Sequence, residues 1–159
     1  MTSIAHRPSH VGICVTDMDR ALRFYRDGLG FALSDGFDLD SDAMPGLDAA
    51  LEVPGRVVLR SQLIELEGMR IELLHYTTPG VDGTPSDRRN KLGLTHLSFW
   101  VDDVDAAAAR LVAHGGTIVE STRTTPGIEL VFLADPDGTR VELMSLPGGG
   151  APPLPAAGS

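Results

Sequence analysis

Ser9-His10-Val11-Gly12-Ile13-Cys14-Val15-Thr16-Asp17-Met18-Asp19-Arg20-Ala21 aligns without a gap on Thr95-His96-Leu97-Ser98-Phe99-Trp100-Val101-Asp102-Asp103-Val104-Asp105-Ala106-Ala107, at an offset of 86 residues. Further along, Gly68-Met69-Arg70-Ile71-Glu72-Leu73 matches Gly138-Thr139-Arg140-Val141-Glu142-Leu143 at an offset of 70. The chain therefore states one pattern twice, and each statement carries a histidine near its start and a glutamate near its end. Duplication of a His–Glu pair yields four metal-ligating side chains, so a metal site is the leading expectation.

Working outward from the repeat, Val11 to Val15 is a short, apolar, partly β-branched run that predicts a strand. Asp17 through Asp27 predicts a helix, capped by Asp17, striped by Ala21, Leu22, Phe24 and Tyr25, and stopped at Gly28 or Gly30. The second copy predicts a strand from Leu97 to Val101, a cap at Asp102 or Asp103, a helix through Leu111 and Val112, and a stop at Gly115-Gly116. Three strand-like segments follow each helix: Phe31 to Asp38, Val57 to Leu66 and Met69 to Tyr76 in the first copy, and Thr117 to Ser121, Ile128 to Ala134 and Thr139 to Leu146 in the second. Glu67-Gly68 and Asp135-Pro136-Asp137-Gly138 have turn chemistry.

Each copy thus reads β-α-β-β-β, an α+β fold of two tandem modules whose strands curl into one cup-shaped mixed sheet with the helices outside. The expected organisation is a flexible N-terminus over 1–8 and a single domain over 9–146, followed by a disordered Gly/Pro/Ala tail over 147–159. Within the domain, module one spans 9–77, a linker 78–92 and module two 93–146. The drop in offset from 86 to 70 puts sixteen extra residues in copy one, expected as an inserted loop within Asp35 to Gly55, where long insertions often act as lids.

Composition narrows the function classes. The chain has 159 residues, one cysteine and a formal net charge of -9. A single cysteine excludes an intramolecular disulfide framework, no signal peptide is evident, and a cytoplasmic protein is expected. No apolar run is long enough to span a membrane. The acidic balance argues against nucleic acid, whose phosphates are bound by clustered Lys and Arg.

Strand alternation places the ligating residues. His10 shares a face with Gly12 and Cys14, opposite Val11, Ile13 and Val15. His96 falls with Ser98 and Trp100, Glu72 with Arg70 and Leu74, and Glu142 with Arg140 and Met144. All four polar residues lie opposite the face that packs on the helices. Two imidazoles and two carboxylates suit Zn²⁺, Ni²⁺, Co²⁺, Mn²⁺ or Fe²⁺. A single strand histidine is more often structural than ligating; here the repeat decides otherwise. His6, His75 and His114 read as structural or solvated, and Asp102 and Asp103 as helix caps. Cys14, Trp100 and Met144 fall on the ligand face as candidate lining of a substrate pocket. Arg88, Arg89 and Lys91 offer a carboxylate or phosphate grip, although a solvated basic turn is the plainer account.

The strand His-x-x-x-x-Val, the helix ending Phe24-Tyr25-Arg26-Asp27-Gly28-Leu29-Gly30-Phe31 and the closing Asp135-Pro136-Asp137-Gly138-Thr139-Arg140-Val141-Glu142-Leu143 resemble the vicinal oxygen chelate superfamily. That superfamily includes glyoxalase I, methylmalonyl-CoA epimerase, type I extradiol dioxygenases and the fosfomycin and bleomycin resistance proteins. The resemblance covers roughly residues 9 to 146. It implies metal ligation by His10, Glu72, His96 and Glu142, with one divalent ion per site, and a homodimer acting on a small molecule. The reaction it implies is that of a lyase, isomerase or epimerase of the glyoxalase type, in which Glu72 or Glu142 takes a proton from the carbon next to a carbonyl and the metal stabilises the enediolate or enolate. One competing reading is a binding or resistance protein that sequesters a drug or natural product. Another is an extradiol dioxygenase, disfavoured because those enzymes use two histidines and one carboxylate and leave three positions for catecholate and O₂, one of which Glu72 would occupy.

Overall fold

The computed structural model describes residues 7–124 and 127–153. It divides into two compact units, Met1–Gly83 and Thr84–Ser159. In the first unit β1 (Val11–Cys14) leads to α1 (Met18–Leu22), then β2 (Ala32–Asp40), a one-turn helix α2 (Leu47–Ala50), β3 (Val58–Leu66) and β4 (Met69–Thr78). The second unit repeats the plan with β5 (Leu97–Trp100), α3 (Val104–Ala113), β6 (Thr117–Thr124), β7 (Glu129–Ala134) and β8 (Arg140–Ser145). The first sheet has the order β1-β4-β3-β2 and the second β5-β8-β7-β6. In both, the first strand pairs parallel with the last and the other pairs are antiparallel. The expected β-α-β-β-β order is therefore present twice.

Local chemistry accounts for the elements. Asp17 accepts the Arg20 N–H at 2.9 Å and Asp103 that of Ala106 at 2.9 Å, so each helix starts on an aspartate cap. At the end of α3, Gly115 takes φ +98° and the Gly116 N–H reaches the Leu111 carbonyl, the paired arrangement that closes a helix on a glycine. The first helix differs from its copy. Beyond Leu22 it widens into a π-helix over Arg23–Gly28, with the Leu29 N–H donating to the Phe24 carbonyl five residues back. Phe24 and Tyr25, neighbours in sequence, are both fully buried there. Tyr25 meets Phe24 and Phe31 edge-on, with ring centres 5.1 and 6.3 Å apart. The sequence pattern predicts an ordinary helix over this stretch, because apolar spacing alone does not register a widened turn.

Each sheet buries one face against its own helix. Ile13, Val15, Ile71 and Leu73 are buried in the first unit with Met18, Ala21 and Leu22; Val141, Leu143, Val131 and Leu133 are buried in the second with Val104, Ala108 and Leu111. The opposite face of each sheet carries Gly12, Cys14 and Glu72 in one case, Ser98, Trp100 and Glu142 in the other, none of them buried. Glu67 and Gly68 both have positive φ (47° and 83°), the backbone of a two-residue hairpin turn between the paired Leu66 and Met69.

The expected strand Phe31 to Asp38 is present as β2 and runs two residues further, to Asp40, which narrows the stretch left to the insertion. Asp35 to Asp40 belongs to β2 and pairs with β3 from Gly36↔Gln62 to Asp40↔Val58, so the copies part at Ser41. The aspartates suggested a loop, but Phe37 and Leu39 alternate with Asp38 and Asp40, and that alternation is compatible with an edge strand. Arg56 closes the base of the remaining loop, reaching Asp40 at 2.8 Å and Asp42 at 2.9 Å.

Of the expected C-terminal tail, residues 147–150 form a turn in which the Leu146 N–H donates to the Gly150 carbonyl at 3.0 Å. Residues 1–6 and 154–159 of the two expected tails lie outside the described residues. Among the described residues no helix is long and apolar enough to cross a membrane.

Candidate functional site

The parallel pairing of first and last strands sets the site in each unit. Gly12 stands opposite Glu72, and Ser98 opposite Glu142. Each histidine lies just before its strand and leans over that pair: His10 Nε2 is 3.0 Å from Glu72 Oε2, and His96 Nε2 is 3.4 Å from Glu142 Oε2. Each sheet therefore brings one predicted histidine to one predicted glutamate. Among the described residues no group of three or more His, Cys, Asp or Glu side chains is gathered as a metal cluster; the units supply donors in pairs.

The surroundings of the pairs repeat too. Ser9 Oγ lies 3.0 Å from His10 Nδ1, and Thr95 Oγ1 lies 2.8 Å from His96 Nδ1. With Nδ1 bonded to the hydroxyl, Nε2 is the ring nitrogen turned to the carboxylate. When the proton sits on Nδ1, Nε2 and Oε2 face each other as two lone-pair donors, an arrangement that a divalent cation satisfies and that matches how ligating histidines are held by a partner on the second nitrogen. The donor set therefore fits a divalent metal.

Each carboxylate is also fixed by a serine. Ser61 Oγ donates to Glu72 Oε1 at 2.5 Å, and Ser98 Oγ donates to Glu142 Oε2 at 2.7 Å. The two serines come from different strands, β3 and β5. Glu72 thus has a partner on each oxygen, whereas both contacts to Glu142 fall on Oε2. Ser61 escapes a strand-by-strand reading because it pairs with Leu74 and reaches Glu72 diagonally; Ser98 was legible as the residue two places after His96.

Other side chains on these faces are placed by the same alternation. Cys14 is exposed on β1, opposite Leu74, and Trp100 is 38% exposed opposite Met144. Tyr76 shares the Glu72 face; burial first, then the negative charges of Cys14 and Glu72, push its phenol above the ordinary tyrosine value. In the second unit the Phe132 ring stands edge-on to His96 with centres 5.1 Å apart, and the Arg89 guanidinium lies over Phe132 at 5.9 Å. The Phe132 N–H donates to Thr122 Oγ1 at 2.9 Å, which fills the irregular β6–β7 register. Of the three linker cations, Lys91 pairs with Asp87 at 2.7 Å and Arg88 is exposed; Arg89 alone turns to the site face.

Comparison with known proteins agrees with this architecture. The profile of the Glyoxalase/Bleomycin resistance protein/Dioxygenase superfamily matches residues 7–143. The chain is 34% identical to YaeR of Escherichia coli over 136 residues, covering 84% of this chain and 92% of that protein. It is 32% identical to the 2-epi-5-epi-valiolone epimerase of an Actinomyces species over 148 residues, covering 88% of this chain and 79% of the epimerase. Among solved structures, a glyoxalase family protein from Bacillus cereus superposes with a TM-score of 0.74 at 23% identity, covering 89% of this chain and 95% of that one.

Proposed function

The chain belongs to the Glyoxalase/Bleomycin resistance protein/Dioxygenase superfamily, and from that premise we propose that it is a divalent-metal-dependent lyase, isomerase or epimerase that moves a proton on the carbon next to a carbonyl. The observation that carries the reading is the doubled His–Glu pair, Nε2 to Oε2 at 3.0 and 3.4 Å, set at repeat-equivalent positions on the open face of each sheet. His10, Glu72, His96 and Glu142 are the metal ligands in this reading. A bound divalent metal supplies Lewis acidity that stabilises negative charge developing on a carbonyl oxygen. The name of the Actinomyces relative favours the epimerase branch.

The proton goes to a carboxylate of this chain. We assign it to Glu142, because Ser98 and His96 both engage Oε2 and leave Oε1 to the reacting carbon, whereas both Glu72 oxygens are engaged. A positioned acid-base group contributes typically ~10²–10⁴-fold in rate. Cys14, Trp100 and Met144 line the substrate's place on the faces beside the ligands, and a homodimer is the expected assembly.

The test is direct. Purified protein is analysed for bound transition metal and titrated with Zn²⁺, Ni²⁺, Co²⁺, Mn²⁺ and Fe²⁺. A panel of 2-oxo and 2-hydroxy carbonyl compounds is then followed for solvent deuterium incorporation. The proposal expects stoichiometric binding of at least one metal, lost in His10→Ala and His96→Ala, and metal-dependent exchange. No metal bound under any of these conditions defeats it. Phe37 at 51% and Trp100 at 38% exposure on these faces favour a second reading, sequestration of an apolar small molecule. Tight binding of an apolar ligand with no exchange in any carbonyl substrate would select it. Catechol-dependent O₂ uptake with Fe²⁺ that survives Glu72→Ala would select the ring-cleaving alternative.

A further inference from the structure

The repeat breaks its own charge balance at one position. Arg70 and Arg140 are equivalent residues two places before the two glutamates. In the first unit Arg70 stands opposite Glu65, its Nε 3.7 Å from that carboxylate and without a hydrogen-bond acceptor among the described residues, so the pair is ionic only. In the second, the residue opposite Arg140 is Ala134, and the Arg140 Nη1 donates to the Gly138 carbonyl of its own turn at 2.9 Å. A second cation stands over the same face. Arg89 donates to the Ser86 carbonyl, lays its guanidinium over Phe132, and keeps Nη1 buried without an acceptor among the described residues. Phe132 is the cross-strand neighbour of Glu142, so Arg89 stands above the same strip of sheet as Arg140 and Glu142.

The acids nearby are shared with other partners, although the charge of Asp87 partly offsets the burial of Arg89. Asp87 is engaged with Lys91, and Glu142 with Ser98 and His96. Burial, and next the charge of Arg140, pull the Arg89 guanidinium below its ordinary value, as expected where two cations share a face. A buried N–H without an acceptor costs stability, and two like charges brought together add to that cost. Two guanidinium groups on one face, one with an N–H lacking an acceptor among the described residues, suit an anionic ligand.

We propose that Arg89 and Arg140 form an oxyanion subsite on the open face of the second sheet, recognising a carboxylate or phosphate group carried by the substrate. This rests on the reading of that face as the place where substrate sits. The guanidinium fork suits either oxyanion, and stacking on Phe132 fixes its plane. The reacting carbonyl then belongs to the same molecule as the anion, which places the substrate among keto or hydroxy acids, or sugar and polyol phosphates.

Calorimetric titration of the purified protein with succinate and with inorganic phosphate tests the subsite and separates the two anions; Mn²⁺ affinity is measured on the same samples before and after chelation. At least one anion is expected to bind wild type, with affinity at least ten-fold weaker in Arg89→Ala and Arg140→Ala, partly restored in Arg89→Lys, and unchanged in the exposed-residue control Arg88→Ala. Mn²⁺ affinity is expected to stay constant across all of these. Thermal melting checks that each variant is folded, and Arg89→Gln replaces Arg89→Ala should the latter melt early. Wild type that binds neither anion, or Arg89 variants that bind as wild type, would overturn the proposal. So would a parallel loss of Mn²⁺ affinity, which would make Arg89 a support for His96. Anion binding that survives in protein unable to bind any metal would leave the subsite standing and defeat the metal reading alone.

Discussion

At the scale of single residues, hydroxyl groups buttress the His–Glu pairs. Ser9 and Thr95 hold the Nδ1 side of each imidazole, while Ser61 and Ser98 hold the carboxylates. Such partners to metal ligands are typically worth ~10–100-fold in metal affinity. Ser61→Ala and Ser98→Ala are each expected to weaken Mn²⁺ binding by about that factor in calorimetry, with Ser→Thr recovering part of it. Because Ser61 is buried, its alanine variant is also expected to lose about 1–3 kcal/mol in urea unfolding, the cost of leaving a buried polar partner unmade. Glu142→Gln, assayed at saturating metal, is expected to lower kcat by ~10²-fold or more, and Glu72→Gln by less. The glutamates and histidines are legible from alternation alone. Ser61, Phe132 and Arg89 are not, since each reaches the site across strands or from the linker, through a register no local pattern specifies.

At the scale of elements, the two helices show how far a repeated signal carries. Both begin on an aspartate cap, and both bury an apolar stripe on their own sheet. The Arg20 N–H at Asp17 holds that carboxyl below the ordinary carboxylate value. A depressed folded-state value means the cap's contribution is present above the unfolded value and fades as pH falls through the folded one. Asp17→Ala is therefore expected to lower the melting temperature at pH 7, with the gap to wild type shrinking below about pH 4, the range where free aspartates protonate. In the strands, Leu73 and Leu143 occupy equivalent, fully buried positions. Alanine at either is expected to cost about 2–5 kcal/mol in chemical denaturation. What the pattern missed at this scale is the π-helical end of the first helix and the last two residues of β2, Leu39 and Asp40. Both depend on packing: Phe24 and Tyr25 are buried together where the turn widens, and β2 runs on to Asp40 because β3 pairs with it.

For the whole molecule, the proposed metal binding would couple the chemistry to stability. A ligand that binds only the folded chain, present at ~100 times its Kd, adds about 2.7 kcal/mol. Chelation is accordingly expected to lower the melting temperature of wild type and to leave a His10→Ala, His96→Ala double variant unmoved; an equal response in both would count against the ligand assignment. What the sequence determined by itself is the duplicated β-α-β-β-β order, the aspartate caps, the glycine stops and the side of each sheet on which His10, Glu72, His96 and Glu142 lie, because strand alternation, capping and turn chemistry are local. Tertiary structure alone decided that each histidine meets its glutamate at contact distance, that a serine from a different strand holds each carboxylate, and that Arg89, rather than Arg88 or Lys91, joins Arg140 on the open face. Those facts follow from strand register and from where a linker folds back, and they arise only when residues far apart in sequence are brought together.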